Sequence, residues 1–102
     1  MILFCGEAVI DMVVSQIGDT RCYIPRPGGA ALNGAISLAR LGHRSGLFAG
    51  LSTDLFGAQL ETVLNAEDVD TRFCPRSSRP TTLAFAELHD GTARFAFMDE
   101  NS

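Results

Sequence analysis

Apolar residues run along this chain in two patterns. Ile2 to Phe4 is a short continuous run ending at Gly6, and Leu47-Phe48-Ala49 is another, held between Gly46 and Gly50. Runs of this kind suit strands buried on both faces of a parallel sheet. Between them, Leu32, Ala35, Ile36 and Ala39 fall at helical spacing. Gly28-Gly29 opens that segment, and Gly42 stands where a helix C-cap belongs. After the second run, Ser52-Thr53-Asp54 offers N-cap residues. Phe56, Leu60, Val63 and Leu64 follow at i, i+4, i+7 and i+8, the apolar stripe of a second helix. The order strand, helix, strand, helix predicts an α/β sheet.

Other segments do not fit that alternation. Val9 to Val14 is a further apolar run, broken by Asp11. Gln16 to Thr20 has turn composition, and Arg21 to Ile24 is expected to return as a strand. Pro25 and Pro27 are expected to stop regular pairing there. Near the end, Leu83 to Leu88 and Ala93 to Met98 flank Asp90-Gly91, a two-residue hairpin signal. That loop sets Leu88 opposite Ala93 and Glu87 opposite Arg94, and the opposite charges across the strands support the register. The chain then stops at Ser102, where an α/β domain should continue with more strand–helix units, so a piece of a larger fold is expected.

Composition narrows the partners. With 46% hydrophobic and 20% charged residues, the 102-residue chain is globular in type. Its net charge of −4 and its isolated arginines argue against nucleic acid and against an anionic membrane surface. No stretch reaches the ~20 apolar residues of a membrane span. The N-terminus is apolar at once, without a basic leader, and Glu7 and Asp11 interrupt it, so it does not read as a signal peptide. Cys5, Cys22 and Cys74 include no C-x-x-C pair, which argues against a disulfide framework and a structural zinc. The cytoplasm is the simplest location.

Several chemical signatures are excluded. Gly29 to Gly34 has P-loop glycine spacing, but Ala35-Ile36 replaces the lysine and hydroxyl. Alanine at position 30 rules out a dinucleotide-binding G-x-G-x-x-G there. His43 and His89 have no ligand-spaced partner. Three features remain, each with a plain structural reading beside the functional one. Asp11 sits where a strand meets a turn; its carboxylate either caps that turn or accepts two neighbouring hydroxyls from a ligand. Gly28-Gly29 with Asn33 is either a tight loop into a buried helix or a place where main-chain N–H groups approach a ligand. Ser52 to Gly57 alone is a helix start with a packing glycine.

In order and spacing, these pieces resemble one family. Gly6-Glu7-Ala8-Val9-Ile10-Asp11, then Gly28-Gly29-x-x-x-Asn33, then Leu41-Gly42, then Gly50-x-x-x-Asp54-x-x-Gly57 is similar to the N-terminal signature region of the PfkB sugar kinases. Pro80-Thr81-Thr82-Leu83-Ala84-Phe85 and the hairpin continue the likeness, so it covers essentially the whole chain, and it leans towards the bacterial fructokinases. The resemblance implies a ribokinase-like fold. Residues 1–102 would be the N-terminal, sugar-binding part of a three-layer α/β/α domain, with a small β lid from strands at about 12–24 and 82–98. It implies transfer of the γ-phosphoryl of MgATP to a sugar hydroxyl, with a monovalent cation as a further cofactor. It implies sugar contacts at Asp11, Gly28, Gly29 and Asn33, and a lid aromatic at Phe97. Contact between two copies through the lid strands is implied as well.

The same resemblance marks an absence. The family's second signature, Gly-Ala-Gly-Asp with the catalytic base, does not occur in the chain, so no catalytic or ATP-binding residue is assigned within it. The division suits the chemistry, because phosphoryl transfer rests on positioning and on charge stabilisation, which separate parts can supply. Two sister activities stay open, a 2-keto-3-deoxygluconate kinase and a ribokinase. In the first, an arginine after the lid hairpin resembles a carboxylate clamp, whereas Phe97-Met98-Asp99 would repel a carboxylate, which favours a neutral sugar. A reading of another class is a non-catalytic sugar-binding or dimerisation module, since half an active site turns nothing over.

Overall fold

A computed structural model describes residues 1–89 and 92–98 of the chain. Strand β1 (Ile2–Cys5) is followed by the hairpin β2 (Val9–Ile17) and β3 (Thr20–Gly28), then helix α1 (Ala30–Arg40) and β4 (Ser45–Phe48). Next come β5 (Leu51–Ser52), helix α2 (Leu55–Ala66), β6 (Val69–Asp70), β7 (Arg76–Ser77), β8 (Leu83–His89) and β9 (Thr92–Met98). The strands form a parallel sheet ordered β1-β4-β6, a mixed sheet ordered β3-β2-β8-β9, and the small parallel pair β5-β7.

The two helices follow the predicted stripes. Leu32 and Ala35 of α1 are buried, as are Leu60 and Leu64 of α2, and they meet Leu47, Ala49, Leu51 and Val69 in one core. Each fully buried leucine contributes about 1.5–3 kcal/mol of transfer free energy. The Ser45 hydroxyl donates to the Ala35 carbonyl at 2.8 Å, so the polar group buried between β4 and α1 is satisfied. Ile10, Met12 and Leu83 bring the mixed sheet onto the same core.

Two expectations change. The prolines do not end β3, which pairs with β2 through Pro25 opposite Met12, Pro27 opposite Ile10 and on to Gly28 opposite Val9. β3 is an edge strand, and Pro25 and Pro27 are two residues apart, so both ring nitrogens face the free edge and no ladder bond is lost. Gly28 accordingly ends a strand, and Gly29 alone stands before α1. The apolar run at Leu47 belongs to a strand that begins at Ser45 and ends at Phe48. The hairpin register is as expected, Leu88 opposite Ala93 and Glu87 opposite Arg94. The turn residues Asp90 and Gly91 lie outside the described residues.

Ion pairs link the end of α1 to the end of α2 and brace the turn after β6. Arg40 of α1 clasps Glu67 after α2 at 2.6 and 2.7 Å, and Arg72 pairs with Asp70 at 2.7 Å. The hydrogen bonds from Arg40 hold Glu67 below the ordinary 4.5, and those from Arg72 hold Asp70 below 3.8. A carboxyl lowered on folding adds stability above its unfolded pKa and loses it as pH falls through the folded value. The melting temperature is therefore expected to be level from about pH 7 to about pH 5 and to fall steadily below that. Circular dichroism melts check it. A midpoint that rises on acidification contradicts these pairs.

Candidate functional site

Asp11 occupies the middle of the mixed sheet. It lies on β2, opposite Arg26 of β3 on one side and Ala84 of β8 on the other, and Ala84 in turn faces Phe97 of β9. Residues directly opposite one another project to the same face of a sheet, so Arg26, Asp11, Ala84 and Phe97 form one row. Ala84 is buried, whereas Phe97 is 65% exposed. The row thus runs from an arginine through a carboxylate and a small floor to an open aromatic ring.

Gly28 makes room for the carboxylate. A Cβ built there would fall 2.7 Å from Asp11 Cγ, and Asp11 Oδ2 would be nearer still. Any larger residue at 28 has to displace Asp11. Gly29 is constrained separately. Its φ of 105° is one that side chains rarely adopt, and a Cβ would lie 2.5 Å from the Glu7 carbonyl oxygen. The glycine pair therefore packs the start of α1 tightly against the strand that carries Asp11.

Among the described residues, the Asp11 carboxylate makes no hydrogen bond or ion pair. It is half-buried, and both acceptor oxygens are left without a donor among the described residues. This counts against the reading of Asp11 as a turn cap. Asn33 stands one turn into α1, its main-chain N–H bonded to the Gly29 carbonyl at 2.9 Å. Its amide is exposed and borders a groove with Pro27, Ser37, Arg40 and Glu67. The structure thus brings Asp11 and Gly28 into contact. Gly29 lies beside them, Asn33 one turn further on, and Phe97 two strands away.

A neighbouring recess was not foreseen. A cavity of about 210 Å³ lies next to the carboxyl ends of β1 and β4, lined by Glu7, Ser52, Ser77, Arg79 and Thr81 among others. Ligands of α/β sheets commonly sit outside the carboxyl ends of strands. Glu7 and Ala8, which line the cavity, directly precede β2, the strand that carries Asp11. Gly6-Glu7-Ala8, Gly50, Ser52 and Pro80-Thr81-Thr82 stood out in the sequence, but as separate motifs and not as one recess. Its members come from four separate stretches, and spacing alone cannot assemble them.

Asp54 is the most heavily bonded carboxylate nearby. Its Oδ1 accepts from Gly57 N–H at 2.8 Å and from the Thr81 hydroxyl at 2.7 Å, and its Oδ2 accepts from Thr81 N–H at 2.8 Å. Burial pushes this carboxyl up, but the hydrogen bonds at Thr81, Gly57 and Ser52 together outweigh burial and leave it below its ordinary value.

The fold and the motif order now have a counterpart in known proteins. Residues 2–102 match the pfkB family of carbohydrate kinases, and the chain belongs to that family. Within the family, it is 42% identical over 104 residues to a fructokinase of Rhizobium leguminosarum bv. trifolii, covering 100% of this chain and 32% of that protein. It is 35% identical over 95 residues to a fructokinase of Escherichia coli, covering 91% of this chain and 30% of that one. The crystal structure of a fructokinase from Xylella fastidiosa superimposes with a TM-score of 0.88 at 36% identity, over 94% of this chain and 31% of that one. The fructokinase from the same organism with bound ATP gives 0.86 at 37% identity, over 94% and 29%. The architecture is thus the ribokinase-like α/β fold of these kinases, and the chain spans about a third of the length of the curated relatives it matches. No helix among the described residues is long and apolar enough to cross a membrane.

Proposed function

We propose that this chain is the sugar-binding part of an ATP-dependent sugar kinase and that its sugar is fructose. The observation that carries the reading is the Asp11 carboxylate, half-buried, without a partner among the described residues, and seated against Gly28. A carboxylate so placed accepts hydrogen bonds from two adjacent sugar hydroxyls, and charge-assisted bonds of this kind are short and strong. Main-chain groups at Gly28 and Gly29 and the amide of Asn33 complete the contacts, and the Phe97 ring closes over the sugar from β9. The names of the relatives support fructose, and the ATP in a neighbouring structure supports the phosphoryl donor.

The donor in this reading is MgATP, with a monovalent cation as an additional requirement. Among the described residues, Arg79 lines the cavity. In this reading the nucleotide contacts and the catalytic base belong to the part of the kinase that the relatives have beyond the third matched here. What this chain contributes is orientation, holding one hydroxyl in line for transfer. Two copies meet through the lid sheet, where β9 is a free edge with Phe97 and Met98 exposed. The cytoplasm, where ATP and free sugar meet, is the proposed location.

A chimera tests the reading. This chain replaces the matching first third of the Rhizobium fructokinase, and the product is assayed with fructose, ribose and 2-keto-3-deoxygluconate. Fructose is expected to give the highest kcat/KM, while the 102-residue chain alone yields no sugar phosphate. Preference for the keto-deoxy acid sinks the assignment of the sugar. A chimera that folds but phosphorylates none of the three supports a binding or dimerisation module instead.

A further inference from the structure

Asp54 has a second task besides starting a helix. As the N-cap of α2, it needs only one acceptor, for Gly57 N–H at 2.8 Å. Its remaining bonds, to Thr81 N–H at 2.8 Å and to the Thr81 hydroxyl at 2.7 Å, reach a residue 27 positions away that is itself buried. Asp54 is in turn held from its own side. Its N–H donates to Ser52 Oγ at 3.0 Å, and Thr53 N–H donates to the Ser77 carbonyl at 2.9 Å.

Thr81 stands where the chain enters β8. The carbonyl of the next residue, Thr82, accepts from Ile10 N–H at 3.0 Å. Leu83 then lies opposite Ile10, and Ala84 lies opposite Asp11. From the Asp54 carboxylate to the flank of Asp11 the path thus has few joints: two bonds to Thr81, one peptide unit, and one ladder bond to β2. A strand that slips by one residue turns all its side chains to the other face. Fixing Thr81 fixes which residue stands beside Asp11.

We propose that Asp54 is a positioning residue for the sugar site: by anchoring Thr81 it sets the register of β8 against β2 and so the surroundings of Asp11. The proposal rests on the reading of Asp11 as a sugar contact only for its functional meaning. The anchoring itself is independent of that reading.

Asparagine separates the two tasks of Asp54. It is as good an N-cap as aspartate. It has one acceptor oxygen, however, and with that oxygen kept on Gly57 N–H its amide group meets the Thr81 N–H donor to donor. Thr81→Ser retains both bonds to Asp54, whereas Thr81→Val retains only the main-chain one. Hydrogen exchange of the 102-residue chain is measured for wild type, Asp54→Asn, Thr81→Ser and Thr81→Val, comparing amides of Leu83 to Ala86 with those of Leu60 to Leu64.

In Asp54→Asn, exchange at Leu83 to Ala86 is expected to quicken by about tenfold or more, with α2 little changed. Thr81→Val is expected to show a smaller effect in the same place, and Thr81→Ser to behave as wild type. Equal quickening of both segments in Asp54→Asn overturns the proposal, because that is general destabilisation. Wild-type exchange at Leu83 to Ala86 overturns it too, because Asp54 is then a helix cap and nothing more. No sugar or nucleotide enters the measurement, so its outcome and that of the kinase assay are read separately.

Discussion

Asp11→Ala, placed in the kinase chimera, is expected to lower kcat/KM for the sugar by about 2–4 kcal/mol of transition-state stabilisation, charge-assisted bonds being worth about 1.5–3 each and water offsetting part of the loss. The expectation follows from the geometry. The carboxylate has no other partner among the described residues, so removing it leaves the fold's own bonds intact and takes away only what it offers a ligand. Asn33→Ala is expected to cost less, since a neutral amide makes weaker bonds than a carboxylate. Steady-state kinetics with fructose decide the matter. Wild-type kcat/KM in Asp11→Ala would show that Asp11 touches no substrate and would remove the main support for a sugar site.

Gly57→Ala is expected to be the most damaging glycine-to-alanine change among the described residues. A Cβ at that position would come 2.6 Å from the Ser52 carbonyl carbon and 3.1 Å from its Cα, with the Ser52 oxygen closer still. All three are main-chain atoms. Ser52 cannot withdraw, because β5 is paired with β7 through Ser52 opposite Ser77 and Thr53 N–H is bonded to the Ser77 carbonyl at 2.9 Å. Overpacking against fixed main chain costs about 3 kcal/mol or more, a large part of the stability of a small domain. Gly34→Ala is the control. Its Cβ would meet the Phe4 ring at 2.7 Å, and a partly buried side chain has some freedom to turn aside. Urea unfolding of the three chains gives the comparison. Equal midpoints for Gly57→Ala and wild type would mean that α2 shifts freely, contrary to the close fit described.

The helices were legible in the sequence because their stripes are local. Leu32 and Ala35, and Leu60 and Leu64, recur with a period that needs no knowledge of neighbours. The hairpin register was legible because a two-residue loop fixes it. β3 was misread at its prolines, since whether a proline breaks a strand depends on which edge is free, and that is a property of the sheet. The two-residue strands β5, β6 and β7 are too short to show any period. The same division holds at the site. Asp11 stood out as a charge interrupting an apolar run. Its contact with Gly28 depends on cross-strand register, and the bonds from Asp54 to Thr81 and the cavity beside Arg79 depend on segments far apart in the chain.

The mixed sheet also bears on how fast the chain reaches its native state. β2 with β3 and β8 with β9 are hairpins, whose strands meet after closing short loops, within about 1–10 μs for such elements. The seam between β2 and β8 is of another kind, because it joins Ile10 to Leu83 and Asp11 to Ala84, from opposite ends of the chain. Joining distant segments carries a loop-closure entropy that is met before the contacts reward it, and it slows folding accordingly. The Asp11 row lies across that seam. Its two halves are each quick to form, and the row is complete only when the slowest pairing of the molecule has closed.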